Sequence, residues 1–164
     1  MKTVHLDTTY LMTIFNIETS IEKLDSQFRE ILGKNKFNFS YSTISIIELK
    51  WIIIGLSKNG INRDILEKQF SESLGALKYD TRFTETSFMD PIINDISYEL
   101  TKLGHKDYFD TVIASNALWS ADIFLTQDEP LKKKMQQLLQ NKVIENIKPI
   151  MILNWDQFTK SEIL

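Results

Sequence analysis

Four acidic residues stand where an acid needs a reason: Asp7, Glu48, Asp110 and Asp128. Glu48 lies inside the apolar run ISIIELKWIII, residues 44–54, and on a helix it falls in line with Ile44, Trp51 and Ile52. A carboxylate buried there is costly unless it is hydrogen-bonded, paired or bound to a metal. The nearest cation in sequence, Lys50, sits about 200° away around a helix of about 3.6 residues per turn, so it cannot neutralise Glu48. Asp110 opens YFDTVIASNALWS, where Ile113, Ala114, Ala117 and Leu118 follow at helical spacing, and so it too lies in line with a buried stripe.

Asp7 ends the apolar segment KTVHLD, and Asp128 comes two residues after ADIFLT. If both segments are strands of a parallel sheet, both acids lie at its carboxyl edge, where ligands of α/β sheets gather. Four carboxylates together repel one another in an empty site, and a hard divalent cation relieves this. The chemistry such a site suits is phosphodiester hydrolysis, with water activated by a metal and the departing oxygen stabilised by a second metal if one is present.

Local explanations compete. Asp7 can be an Asx turn or a cap for the helix after it. Asp110 can be an N3 acid opposite an Asp107 N-cap, and Asp128 can cap the helix that begins near Pro130. No cap or local ion pair explains Glu48, whose alternative is to snorkel past the apolar face to solvent. Neither His5 nor His105 has a carboxylate orienter beside it, and neither is assigned a role. Lys132, Lys133 and Lys134 read as a solvated helix face or as a contact to phosphate.

Positioning these residues takes one domain. The 164 residues, 43% hydrophobic and 25% charged, suffice for a single substantial core. Cysteine is absent, which excludes disulfides, thiolate metal sites and thiol nucleophiles and leaves metals held by oxygen. A net charge of −3 and a pI near 5.4 argue against coating nucleic acid by general attraction. The N-terminus MKTVHLDTTYLM lacks the apolar core of a signal peptide, and no run of roughly 18 apolar residues occurs. The expectation is a soluble, cytoplasmic protein without a membrane span.

KTVHLD reads as a strand, followed by a helix over TTYLMTIFN, and ETSIEKLDSQFREILG as a helix with Gly33 as its stop. FNFSYST alternates like a strand, and the run containing Glu48 is a helix to about Gly55, packed on the sheet by Ile44, Ile47 and Trp51. NRDILEKQFSESLGAL is a helix, KYDTRFTETSF holds an extended piece, and DPIINDISYELTKLG is a helix with Asp90 as cap and Pro91 in its first turn. Then come the helix DYFDTVIASNALWS, the strand ADIFLT, the helix EPLKKKMQQLLQN, the strand KPIMILNW and a tail. Short apolar strands separated by helices imply a parallel sheet covered on both faces.

The ordered set HLDTTYL, STISIIELKW, YFDTVIASNAL and ADIFLTQDEPL resembles the PIN domain family, especially its VapC-like toxin ribonucleases. The resemblance spans residues 1–155, leaving 156–164 as a C-terminal tail. Its most specific pieces are FDTVIASNALWSADIFLTQDEPL and the strand-terminal aspartate within the first ten residues. It implies a three-layer α/β/α sandwich with a central parallel sheet, and an acid cluster binding Mg²⁺ or Mn²⁺. Asp7, Glu48, Asp110 and Asp128 correspond to its four acids and Thr126 to the hydroxyl before the last, with Thr8 or Thr9 placed to position water or metal. Asp107, read above as an N-cap, is a further supporting position. The resemblance further implies hydrolysis of RNA, a homodimer and inhibition by a VapB-type antitoxin. The chain departs from it in extra length at residues 57–90 and the tail, and in its acidity.

Two other functions fit parts of the sequence. One is a catalytically weak PIN module that binds RNA or a protein partner, suggested by the acidic pI. The other is a haloacid dehalogenase-like phosphatase built on LDTTYL, which has Thr9 where that family's second aspartate would stand. The four-acid site carries a geometric expectation, with Glu48 within roughly 4 to 6 Å of Asp7 and Asp110.

Overall fold

The computed structural model describes residues 1–142 and 144–161. The strands are β1 (Lys2–Leu6), β2 (Phe37–Ser42), β3 (Phe83–Thr86), β4 (Ile123–Leu125) and β5 (Met151–Leu153). They form one sheet in the order β3-β2-β1-β4-β5, and every pairing is parallel. Leu6 pairs with Tyr41 on one side and Leu125 on the other. From β1 the chain builds outward first through β2 and β3, then through β4 and β5, so the strand order reverses at β1. The crevice beyond the carboxyl ends of β1 and β4 is therefore the topological switch point, and Asp7 follows directly on β1 there.

The helices among the described residues are α1 (Thr8–Ile14), α2 (Leu24–Gly33), α3 (Thr43–Lys58), α4 (Arg63–Tyr79), α5 (Pro91–Lys102), α6 (Tyr108–Ser120), α7 (Glu129–Asn141) and α8 (Trp155–Thr159). Alternation along the strands divides the core in two. Val4, Leu6, Phe39, Ile123 and Leu125 face one side, where they pack with Tyr10, Phe28 and Phe70 from α1, α2 and α4. Phe124 and Ile152 face the other, with Ile96, Ile113 and Met135 from α5, α6 and α7. The result is the expected α/β/α sandwich. His5 belongs to the second face: it is fully buried, bonded through Nδ1 to Ser40 Oγ at 2.9 Å, and burial pushes its pKa down to about 3.

Several details depart from expectation. Ile47 and Trp51 do not pack α3 onto the sheet, being 45% and 63% exposed, whereas Ile44, Ser45, Leu49 and Ile53 are buried. This helix is apolar nearly all round, so its periodicity could not single out the inward face. It also continues through Gly55 to Lys58, since Gly55 costs a helix only about 1 kcal/mol relative to alanine. Helix α2 begins at Leu24, after Lys23 in the left-handed region, and Gly33 is its last residue; the left-handed turn beyond it belongs to Asn35.

The segment read as a tail begins inside α8. A capping box between Asn154 and Gln157 starts this helix, and Trp155 and Phe158 are buried in the same core as Phe28 and Phe39. The Trp155 indole donates to Gln27 Oε1 at 2.8 Å, which ties α8 to α2. Residues 162–164 of the expected tail lie outside the described residues.

Candidate functional site

The switch point opens into a cavity of about 350 Å³ whose lining includes Asp7, Thr8, Glu48, Asp110, Gln127 and Asp128. All four acids singled out in the sequence reach it, each from a different element. Asp7 caps α1, accepting the Thr8 amide at Oδ1 (2.7 Å), while its Oδ2 accepts the Thr126 hydroxyl (2.7 Å). Asp128 caps α7 and accepts the Leu131 amide at Oδ1 (2.8 Å). Asp107 caps α6, which puts Asp110 at the third helical position, the N3 site of the competing local explanation. Capping and lining the cavity are thus one arrangement, because the helix N-termini open at the strand ends.

Glu48 is half-buried on α3, and its Oε2 accepts the Thr8 hydroxyl at 2.5 Å. Lys50 leaves it alone, as expected: its ammonium pairs with Glu67 on α4 and lies 4.7 Å from the Phe70 ring centre. Thr9 lines the cavity beside Thr8.

Electrostatics make the cavity hostile to four free negative charges. Burial raises the Asp7 carboxyl to about 7, with the charges of Asp110 and Glu48 adding and the Thr126 and Thr8 hydrogen bonds opposing. Burial likewise raises Glu48 against its Thr8 bond, and Asp110 against its His105 bond. No lysine or arginine among the described residues lines the cavity. An added cation is what would let these acids ionise together.

His105, which the sequence left without a role for want of a carboxylate beside it, does have one in the fold. Its Nε2 lies 3.1 Å from Asp110 Oδ2, and one ligand atom each of His105, Asp110 and Asp128 lie within 4.8 Å of one another, a spacing that can hold a metal ion. Asp7 and Glu48 line the same cavity outside that tighter group. The signal available was His105 five residues before Asp110, with Gly104 between helices; Gly104 takes a φ of 91° that folds the imidazole back over the start of α6. The lysine run splits. Lys132 is buried and donates to Gln157 Oε1 at 2.8 Å, whereas Lys133 is exposed.

Among solved structures, that of VapBC2 from Rickettsia felis bound to a DNA fragment from their promoter contains a similar chain. The match covers 94% of this chain and 99% of that one, at 18% identity and a TM-score of 0.58. The structure of FitAB bound to IR36 DNA fragment matches over 92% and 94%, at 15% identity and a TM-score of 0.61. FitAcB from Neisseria gonorrhoeae matches over 92% and 96%, at 14% identity and a TM-score of 0.58. The fold is PIN/VapC-like. At these identities the likeness is one of architecture, and the PIN-like fold fixes the path of the backbone rather than its chemistry. No family model matches the sequence, and no curated protein matches it significantly. No helix among the described residues is long and apolar enough to cross a membrane.

Proposed function

We propose that the chain is a metal-dependent endoribonuclease that hydrolyses RNA phosphodiester bonds at the cavity lined by Asp7, Glu48, Asp110 and Asp128. The observation that carries this is the convergence of four carboxylates, from four elements, on one cavity without a lysine or arginine in its lining. Burial and mutual charge raise three of them above their ordinary pKa, and perturbed carboxylates gathered in one cleft favour a functional site. Mg²⁺ or Mn²⁺ fits an oxygen-rich donor set, and Asp7, Glu48, Asp110 and Asp128 would hold it. Such an ion, when bound, lowers the pKa of water and stabilises charge on phosphate oxygens.

The chain's own residues orient the acids. Thr8 and Thr126 each donate a hydroxyl to a carboxylate oxygen, fixing Glu48 and Asp7. Asp107 accepts the Phe109 amide at 2.9 Å and so sets the start of α6, from which Asp110 projects. These contacts place the acids before substrate arrives, so little reorganisation remains for the reaction.

The solved neighbours are complexes, VapBC2, FitAB and FitAcB, and two of them are bound to DNA fragments. This supports a VapB- or FitA-type antitoxin as partner and a toxin role. The homodimer and cytoplasmic location that the resemblance implies belong to the same reading, and a homodimer would sediment at twice 19.2 kDa. The nuclease is tested by incubating the metal-stripped chain with single-stranded RNA, then adding Mg²⁺ or Mn²⁺. Cleavage only after addition supports the proposal, and no cleavage with either ion refutes it.

A further inference from the structure

The acids account for the oxygen donors lining the cavity, and His105, which is not part of that lining, brings a nitrogen up to two of them, Asp110 and Asp128. The His105 side chain is only 9% exposed, and its Nε2 faces Asp110 Oδ2 at 3.1 Å. The chain is built to bring it there: α5 stops at Lys102, Gly104 makes the left-handed turn, and the His105 amide donates back to Leu100 O at 3.3 Å. Two donors each about 2.1 Å from a shared ion are at most about 4.2 Å apart. Separations bounded at 4.8 Å in the group of His105, Asp110 and Asp128 therefore close on one ion with shifts of tenths of an ångström.

We propose that His105 is a metal ligand, giving the bound cation an imidazole nitrogen beside the carboxylates of Asp110 and Asp128. This rests on the reading of the cavity as a divalent-cation site. Binding an ion would exchange the Nε2 hydrogen bond to Asp110 for a bond to the metal, with the ring proton carried on Nδ1, so that Nε2 presents its lone pair. Its consequence is selectivity. Mg²⁺ is a hard ion that takes oxygen ligands and gains little from imidazole, whereas transition ions accept nitrogen donors, so the site favours transition ions, Mn²⁺ among them, over Mg²⁺.

The test is pulsed electron paramagnetic resonance on the full chain loaded with substoichiometric Mn²⁺. Directly bound imidazole is expected to give ¹⁴N modulation in the wild type. His105→Asn and His105→Gln should both lose it while still binding Mn²⁺, with affinity reduced about tenfold and Mg²⁺ affinity changed much less. Bound Mn²⁺ without ¹⁴N modulation in the wild type overturns the role of His105 and leaves the acidic metal site standing. Modulation that survives in the variants assigns the nitrogen elsewhere and also overturns it. Failure of the wild type to bind Mn²⁺ at all removes the metal site and this ligand together.

Discussion

Thr126 donates its hydroxyl to Asp7 Oδ2 at 2.7 Å, across 119 residues of chain, and the Thr126 Oγ1 itself accepts the Asp128 amide at 3.0 Å. One buried hydroxyl thus joins the ends of β1 and β4 and links the first and last acids of the cavity. A threonine two residues before an aspartate is unremarkable in sequence. Its place beside Asp7 follows from the parallel pairing of Leu6 with Leu125.

Replacing Thr126 by valine keeps the shape and leaves Asp7 Oδ2 and the Asp128 amide without this partner. Chemical denaturation should show a loss of about 1 to 3 kcal/mol. Thr126→Ser should recover most of it, and equal stability of all three proteins would contradict the linking role.

The Asp7 carboxyl, raised to about 7, gives the metal-free protein a defined pH response. Between its unfolded value near 3.8 and about 7 the folded state holds a proton that the unfolded state has lost, so this contribution to stability is present at low pH and falls as pH rises through 7. Asp7→Asn removes the titration. Without metal, the variant should gain on the wild type by about 1 to 2 kcal/mol at pH 8, a figure discounted for the open cavity, and the gain should vanish near pH 4. A gain independent of pH would assign it to something other than ionisation of Asp7.

Divalent cation should reverse that order. At about 100 times its dissociation constant, a bound ion stabilises the folded state by about 2.7 kcal/mol. Thermal melts with Mn²⁺ should therefore rise for the wild type and move little for Asp7→Asn and Asp110→Asn. Equal rises in all three would place the ion elsewhere.

Helix α8 should behave as part of the core. Phe158 is fully buried, with its ring centre 5.5 Å from that of Phe37. Phe158→Ala should cost about 3 to 5 kcal/mol in denaturant unfolding, whereas a loose appendage would lose almost nothing.

Much of this was legible in the sequence because two physical rules were strong. Short apolar strands between helices leave little besides a covered parallel sheet, and a mid-helix acid such as Glu48 demands a partner. Other features were hidden for equally physical reasons. Apolar residues on every side of α3 concealed that Ile47 and Trp51 face outward. The contact of His105 with Asp110 depends on a left-handed turn at Gly104, which a local search for an adjacent orienter does not detect. Burial of Trp155 and Phe158 depends on aromatic partners on α1, α2 and β2, far away in sequence.

The most direct measurement is the cleavage rate of an end-labelled RNA with Mn²⁺, compared among the wild type, Asp7→Asn and Asp110→Asn, each confirmed to be folded. Losing one acid of the site is expected to slow cleavage by about 100-fold or more, equivalent to about 2.7 kcal/mol of transition-state stabilisation. Cleavage undiminished in both variants would contradict the assignment of this cavity as a ribonuclease site.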